Sequence, residues 1–371
     1  MKNVYSFFLG VAAVCLAGFV IMLATGSEAV GPLVVGFLTA LAIGVRRLPV
    51  AREFAFTMWI FAAVSAAMFY PGYFQQVGDF ELTRLIVPLI QLIMFGMGTA
   101  MSLSDFAGVV RMPRGVLVGI ISQFTIMPFI GLGLAVAFGF PAEIAAGVVL
   151  IGSAPSGVAS NVMAYIAGAN LPLSVTLTAV STLLAPLMTP FLMQMLAGQF
   201  VPVDFMDMMM SIINMVILPI GAGLLFNKLF SGKIPWLDDA MPVVSMVGIA
   251  VIITIITAAG RDSLLVVGFA LVVAAILHNG MGYLLGYWGC RMLRLPERDC
   301  RTIALEVGMQ NGGLASGIAL EMGRVATVGL APAVFGPWMN ISGSALANYW
   351  RRTADTVDAP PPDEKVPVPA T

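Results

Sequence analysis

Apolar residues run along this chain in stretches of about 20, the length that carries an α-helix across a hydrocarbon layer. Twelve such spans are predicted, at roughly 5–25, 30–45, 53–71, 83–102, 115–139, 142–167, 171–197, 206–227, 236–259, 263–288, 299–322 and 327–349. Continuous runs of this length exclude a porin-type barrel, whose strands alternate over about ten residues. Two of the spans are interrupted. Residues 301–322 read RTIALEVGMQNGGLASGIALEM, which sets Glu306, Gln310 and Asn311 among glycines in mid-span. Residues 152–182 read GSAPSGVASNVMAYIAGANLPLSVTLTAVST, where Pro155 and Gly157 break a helix just before Ser160 and Asn161. A carboxylate in mid-membrane is costly and calls for a partner. Two broken, polar-centred spans, one in each half of an apolar chain, point to a transporter whose site lies where the breaks meet.

The charges orient the spans. Lys2, Arg46, Arg47, Arg52, Arg111, Arg114, Lys228, Lys233, Arg291, Arg294, Arg298, Arg301, Arg351 and Arg352 fall on one side of a twelve-span chain, and only Arg84, Arg261 and Arg324 on the other. The rich side is cytoplasmic by the positive-inside rule, so both termini are expected inside a multi-pass cell (inner) membrane protein. The first span follows Lys2 as a signal peptide would, but its apolar run exceeds the roughly 7–15 residues of that class, so a retained helix is expected. The ten spans from about 53 onward divide five and five, and an odd-numbered unit repeats with inverted topology. The expected organisation is an extra N-terminal helix pair over 1–50, a five-helix repeat over 51–200, an inverted five-helix repeat over 201–352, and a disordered cytoplasmic tail over 353–371, which is rich in proline.

Composition agrees with a lipid solvent. Of 371 residues, 59% are hydrophobic and 10% charged, against about 25% charged in soluble domains. No basic run suits nucleic acid. Cys15, Cys290 and Cys300 show no metal-ligand spacing, and the last two flank an arginine-rich cytoplasmic loop where a disulfide is not expected.

Sodium prefers oxygen ligands, and transporters hold it with freed carbonyls, amides, hydroxyls and carboxylates at half-helix ends. Ser160 and Asn161 follow the first break. Ser174 and Thr178 lie four apart on one face of the next helix. Glu306 supplies the negative charge and Gln310 faces the same way, while glycines between them free the carbonyls of Val307 and Met309. Plainer readings stand beside this one. Ser174 and Thr178 taken alone fit close helix packing, Asn161 and Gln310 fit interhelical hydrogen bonding, and Glu306 fits a proton carrier. Glu143, Glu321 and Asp105 fall near span ends and are expected to be solvated. His278, the single histidine, reads as a packed, hydrogen-bonded residue, and most of the 25 methionines as core filler.

SGVASNVMAYIAGANLPLSVTLTAVSTLLAPLMTP, EVGMQNGGLA, MFGMGTAMSLSDF (94–106), ISQFTIMP (121–128), LHNGMGYLLG (277–286) and NISGSALANYW (340–350) together resemble the bile acid:sodium symporter family, in particular its bacterial members. The likeness covers about 53–350. It implies an all-α, ten-helix inverted-repeat fold of core and panel domains, with two broken helices crossing in the core and two sodium ions behind the crossing. Carried onto this chain, one sodium site takes Ser160, Asn161, Ser174, Thr178 and Glu306. The other takes Gln123, Glu306, Gln310 and the carbonyls of Val307 and Met309; Gln123 enters only through the resemblance. Two cavity positions depart from the family: Val158 stands where bacterial relatives usually carry Thr, and Met339 where they often carry His, which makes that wall more apolar. The first fifty residues are extra.

The function expected is sodium-coupled import of an organic anion, such as a bile acid or a small carboxylate, by alternating access. The half-helix N-termini near Val158–Ala159 and Asn311–Gly312 would face the anion, with Asn311 and Asn340 donating hydrogen bonds. The alternatives are a proton-coupled or uncoupled carrier or exporter of the same fold, an arsenite or auxin-type efflux carrier, and a non-transporting sensor. A membrane enzyme finds no support, because the lone histidine has no nucleophile or metal pattern around it.

Overall fold

The computed structural model describes residues 2–25, 30–47, 55–230 and 234–357. It is helical almost throughout. The helices are α1 (Lys2–Ala24), α2 (Val30–Gly44), α3 (Ala55–Phe69), α4 (Gly72–Gln75), α5 (Ile86–Thr99), α6 (Gly108–Arg111), α7 (Pro113–Ala137), α8 (Ala142–Ser153), α9 (Ala159–Ile166), α10 (Leu171–Leu192), α11 (Phe205–Ile212), α12 (Leu218–Phe230), α13 (Pro235–Ala259), α14 (Arg261–Met292), α15 (Glu297–Gly308), α16 (Gly312–Glu321) and α17 (Leu330–Val357). Among the described residues, eight helical stretches are long and apolar enough to cross a membrane. The remaining expected spans fall short for visible reasons. The helix α3 is short, α8/α9 and α15/α16 are split, and α17 carries Asn340, Ser342, Ser344 and Asn348.

Local chemistry sets many of the ends. Pro113 and Pro235 open α7 and α13 at a position where the missing N–H costs nothing. Asn170 caps α10 by accepting from the Leu173 N–H, and Asp204 caps α11 by accepting from Asp207. Two π-helical turns, at 193–197 and 213–217, flank the connection between the halves of the chain. A small hairpin, β1 (Gln76–Val77) with β2 (Phe80–Glu81), interrupts the connection from α3 to α5. The helix α17 continues past Arg352, where a tail was expected; residues 358–371 lie outside the described part, as do Arg52 and Lys233.

The helices α3, α5, α12 and α13 pack on one another, and α7, α8, α10, α14, α15 and α17 form a second packed group. Glycines allow the closest approaches in the first group. A Cβ on Gly98 would lie 2.3 Å from the Ile220 carbonyl oxygen, and one on Gly223 would lie 2.2 Å from that of Phe95. The helices α1 and α2 pair with each other and join the rest through α2 on α3. Little of α1 is buried, which in an apolar helix marks a lipid-facing surface.

Candidate functional site

The two breaks meet. The first helix ends at Ala154 in extended conformation (φ −72°, ψ 153°), as the residue before a proline prefers. The second ends at Met309 (φ −113°, ψ 96°). The extended segments pair as a short antiparallel bridge, Ser156 opposite Gln310. The Gly157 N–H donates to the Met309 carbonyl at 2.8 Å, and the Asn311 N–H donates to the Pro155 carbonyl at 2.8 Å. Each half-helix therefore finds partners in the other break for backbone groups that lipid could not satisfy.

Glu306, near the end of α15, is 2% exposed and lies beside this crossing. Its carboxylate accepts from Ser160 Oγ at 2.6 Å, from Ser174 Oγ at 2.5 Å, from Thr178 Oγ1 at 2.9 Å and from Ser156 Oγ. Asn161 Oδ1 lies 2.8 Å from Ser174 Oγ and 3.2 Å from Thr178 Oγ1. Each hydroxyl has one proton. Ser174 thus serves either Glu306 or Asn161 at any moment, and so does Thr178. The pocket holds more oxygen lone pairs than protons to cover them. None of the ion pairs among the described residues involves Glu306. A donor set of hydroxyls, an amide oxygen and one carboxylate suits a hard monovalent cation. Ser156 was missed in the sequence; its place between Pro155 and Gly157, inside the break, was the available signal.

The second group of expected ligands also assembles. Gln123 on α7 is 2% exposed, and its Nε2 donates to the Ala154 carbonyl at 3.0 Å and to Gln310 Oε1 at 2.5 Å. Gln310 Nε2 donates to the Val307 carbonyl at 2.5 Å. Gln123 Oε1 is buried without a partner. A buried amide oxygen left bare is uncommon, and a cation would satisfy it. Among the described residues no hydrogen bond joins Glu306 to Gln123 or Gln310, so the carboxylate sits with the first group.

A cavity of about 920 Å³ lies between the crossing and the four-helix group α3, α5, α12 and α13. Val158, Ala159, Asn311, Gly312 and Asn340 all line it. Among the described residues the lining carries no charged side chain, and it is rich in methionine, including Met97, Met163, Met309 and Met339. Asn311 caps α16 by accepting from the Leu314 N–H at 3.0 Å, and α9 starts at Val158 without a side-chain cap. Asn340 Nδ2 donates back to the Gly336 carbonyl at 3.0 Å. Met339 Sδ lies 3.1 Å from the Gln310 backbone nitrogen, so this residue braces the second break as well as lining the cavity.

The cavity wall includes Thr57 near the start of α3, Thr99 at the end of α5 and Asn227 near the end of α12. The helix α16 is pressed against the four-helix group: a Cβ on Gly317 would lie 2.6 Å from Ile90 Cδ1. Glu143 keeps part of its side chain exposed, pairs with Arg324 and accepts from Thr327 Oγ1 at 2.5 Å. Asp105 accepts from the Ser102 N–H in a capping box, and Glu321 is exposed as expected. His278 is fully buried and bonded to the Met127 carbonyl at 3.1 Å. All three cysteines are free thiols.

Comparison with known proteins bears on what this arrangement serves. Residues 87–267 match the family model described as the Sodium Bile acid symporter family. A sodium-dependent transporter of Bacillus subtilis, YocS, is 39% identical over 298 residues, which is 80% of this chain and 91% of that protein. The chain belongs to the sodium bile acid symporter family. Two plant relatives in the family are named probable sodium/metabolite cotransporters of the chloroplast. BASS1 of Arabidopsis thaliana is 32% identical over 81% of this chain and 74% of its own length, and BASS1 of rice is 31% identical over 80% and 72%. The family resemblance read in the sequence is thus established, and with it a sodium-dependent membrane transporter class; the relatives are named for transport rather than for catalysis.

Proposed function

We propose that this protein imports an organic anion across a cell (inner) membrane together with sodium, by alternating access. The observation that carries this reading is the proton-poor oxygen cluster around Glu306 at the point where the two breaks meet. In this reading one sodium ion sits among Ser160, Asn161, Ser174, Thr178 and Glu306, and Ser156, which bonds Glu306, is a further candidate ligand. A second sits among Gln123, Gln310 and the Val307 and Met309 carbonyls, with Glu306 close by. The ions neutralise the carboxylate and stiffen the crossing. The N-terminal ends of α9 and α16 then offer backbone dipoles to an anion in the cavity, where no basic side chain stands among the described residues.

The ten-helix part reads as two inverted five-helix repeats, over 51–200 and 201–352, that build a panel (α3, α5, α11/α12, α13) and a core. The N-terminal pair over 1–50 is an addition to this unit. Both termini lie on the cytoplasmic side. The cavity then opens inward and α16 closes the outer side against the panel, so the conformation is inward-facing. Each net positive charge carried inward gains about 2.3 kcal/mol per 100 mV. The test is uptake of radiolabelled organic anions into proteoliposomes. A sodium gradient should drive accumulation and an equal choline gradient should not. Full accumulation driven by a proton gradient in the absence of sodium would favour the proton-coupled reading instead.

A further inference from the structure

Behind the second break, on the side away from the cavity, stands a polar network that the sodium ligands themselves do not include. The end of α15 leaves a run of carbonyls without helical donors. Three of them have identifiable partners near the crossing. Val307 accepts from the Gln310 side chain, Met309 accepts from the Gly157 N–H, and Gly308, between them, accepts from Asn279 Nδ2 at 2.7 Å. Asn279 sits in the middle of α14 and is 1% exposed. Its Oδ1 accepts from Ser342 Oγ on α17, and Ser342 Oγ in turn lies 3.2 Å from the Tyr283 hydroxyl. The Tyr283 ring covers Gly308 so closely that a Cβ there would lie 2.2 Å from the ring. The preceding residue, His278, reaches the other way and holds the Met127 carbonyl of α7, one turn beyond Gln123.

We infer that Asn279, held by Ser342, is a positioning residue for the second sodium site. It fixes the Gly308 peptide, and so sets the direction of the Val307 and Met309 carbonyls on either side of it. His278 steadies α7, and with it Gln123, from the same turn of α14. The physical argument is one of alignment. Carbonyls bind a small cation well only when several converge on one point, and a helix end freed from its own hydrogen bonds has no intrinsic reason to hold that arrangement. Groups that hold ligands in place govern metal affinity nearly as strongly as the ligands do. The network also ends on α17, which supplies Met339 and Asn340 to the cavity wall. Occupation of the cavity and occupation of the second site are therefore linked through Ser342 and Asn279 as well as through the Met339–Gln310 contact.

This inference rests on the sodium reading above, and the experiment keeps the two apart. The full-length protein is purified in detergent and titrated with sodium chloride at constant ionic strength with choline chloride, with bound 22Na+ as the readout. The wild type should bind two ions cooperatively. In Asn279→Ala, sodium affinity of one ion should fall about ten- to a hundredfold, and the Hill coefficient should drop toward 1. The remaining ion, held by Ser160, Asn161, Ser174, Thr178 and Glu306, should keep its intrinsic affinity and lose only the gain from coupling. Ser342→Ala leaves Asn279 in place but removes the hydroxyl that holds it, together with that hydroxyl's contact to Tyr283, and should shift the titration in the same direction by less. It serves as the test if Asn279→Ala does not fold. A lower melting temperature with an unchanged sodium titration would make Asn279 a packing residue and overturn the inference. A wild type that binds no sodium would instead overturn the underlying reading.

Discussion

At the scale of single residues, the account turns on oxygen atoms that outnumber the protons available to them. Ser174 lies within reach of both Glu306 and Asn161, so its loss removes a ligand from the centre of the first pocket. Ser174→Ala is expected to raise the half-saturating sodium concentration about tenfold, in line with a hydrogen bond or ligand to a charged group worth about 1.5 kcal/mol; sodium-dependent flux in proteoliposomes checks it. Val158 is 40% exposed at the start of α9 and lines the cavity. Val158→Thr adds a hydroxyl at the mouth of that half-helix. It is expected to improve the affinity for small polar anions severalfold, the worth of one neutral hydrogen bond of about 1 kcal/mol, and competition assays against a labelled substrate would read the change. Glu306, Asn161 and Gln310 stood out in the sequence because a polar group in an apolar span is costly and calls for a partner. Ser156 was not, because serine is an ordinary packing residue in membrane helices and only the bend of the chain turns its hydroxyl toward Glu306.

At the scale of elements, the decisive event is the pairing of the two breaks. Pro155 and Gly157 announced the first break, and Gly308, Gly312 and Gly313 the second. No periodicity announces that Gly157 donates to Met309 and Asn311 to Pro155, since these contacts join residues more than a hundred positions apart. A Cβ on Gly157 would lie 2.9 Å from the Gln310 carbonyl oxygen. Gly157→Val should therefore push the extended segments apart, lower stability by about 1–3 kcal/mol, and weaken sodium binding at both pockets; a thermal melt with and without sodium measures both effects. The hairpin over 76–81 escaped notice because two-residue strands carry no detectable alternation, although Gly78 and Asp79 form a turn signal. The π-helical turns at 193–197 and 213–217 had no sequence signal that we recognise.

At the scale of the whole molecule, hydropathy and charge foretold a polytopic helical protein, and the motifs foretold its family. Which groups of helices pack together was not legible, because lipid-facing and protein-facing apolar residues look alike in one sequence. The N-terminal pair meets the remainder through α2 on α3, and none of its described residues lines the cavity. A chain lacking residues 1–50 is therefore expected to bind sodium with the midpoint of the full protein, a comparison that isothermal titration can make. The central claim is that a sodium ion stands in for the basic partner that Glu306 lacks among the described residues. The most direct measurement is equilibrium binding of 22Na+ to the purified protein and to Glu306→Gln, which keeps the shape of the side chain and removes its charge. The account predicts saturable binding by the wild type and its loss in a variant that remains monodisperse; a Glu306→Gln protein that binds sodium as tightly as the wild type would contradict it.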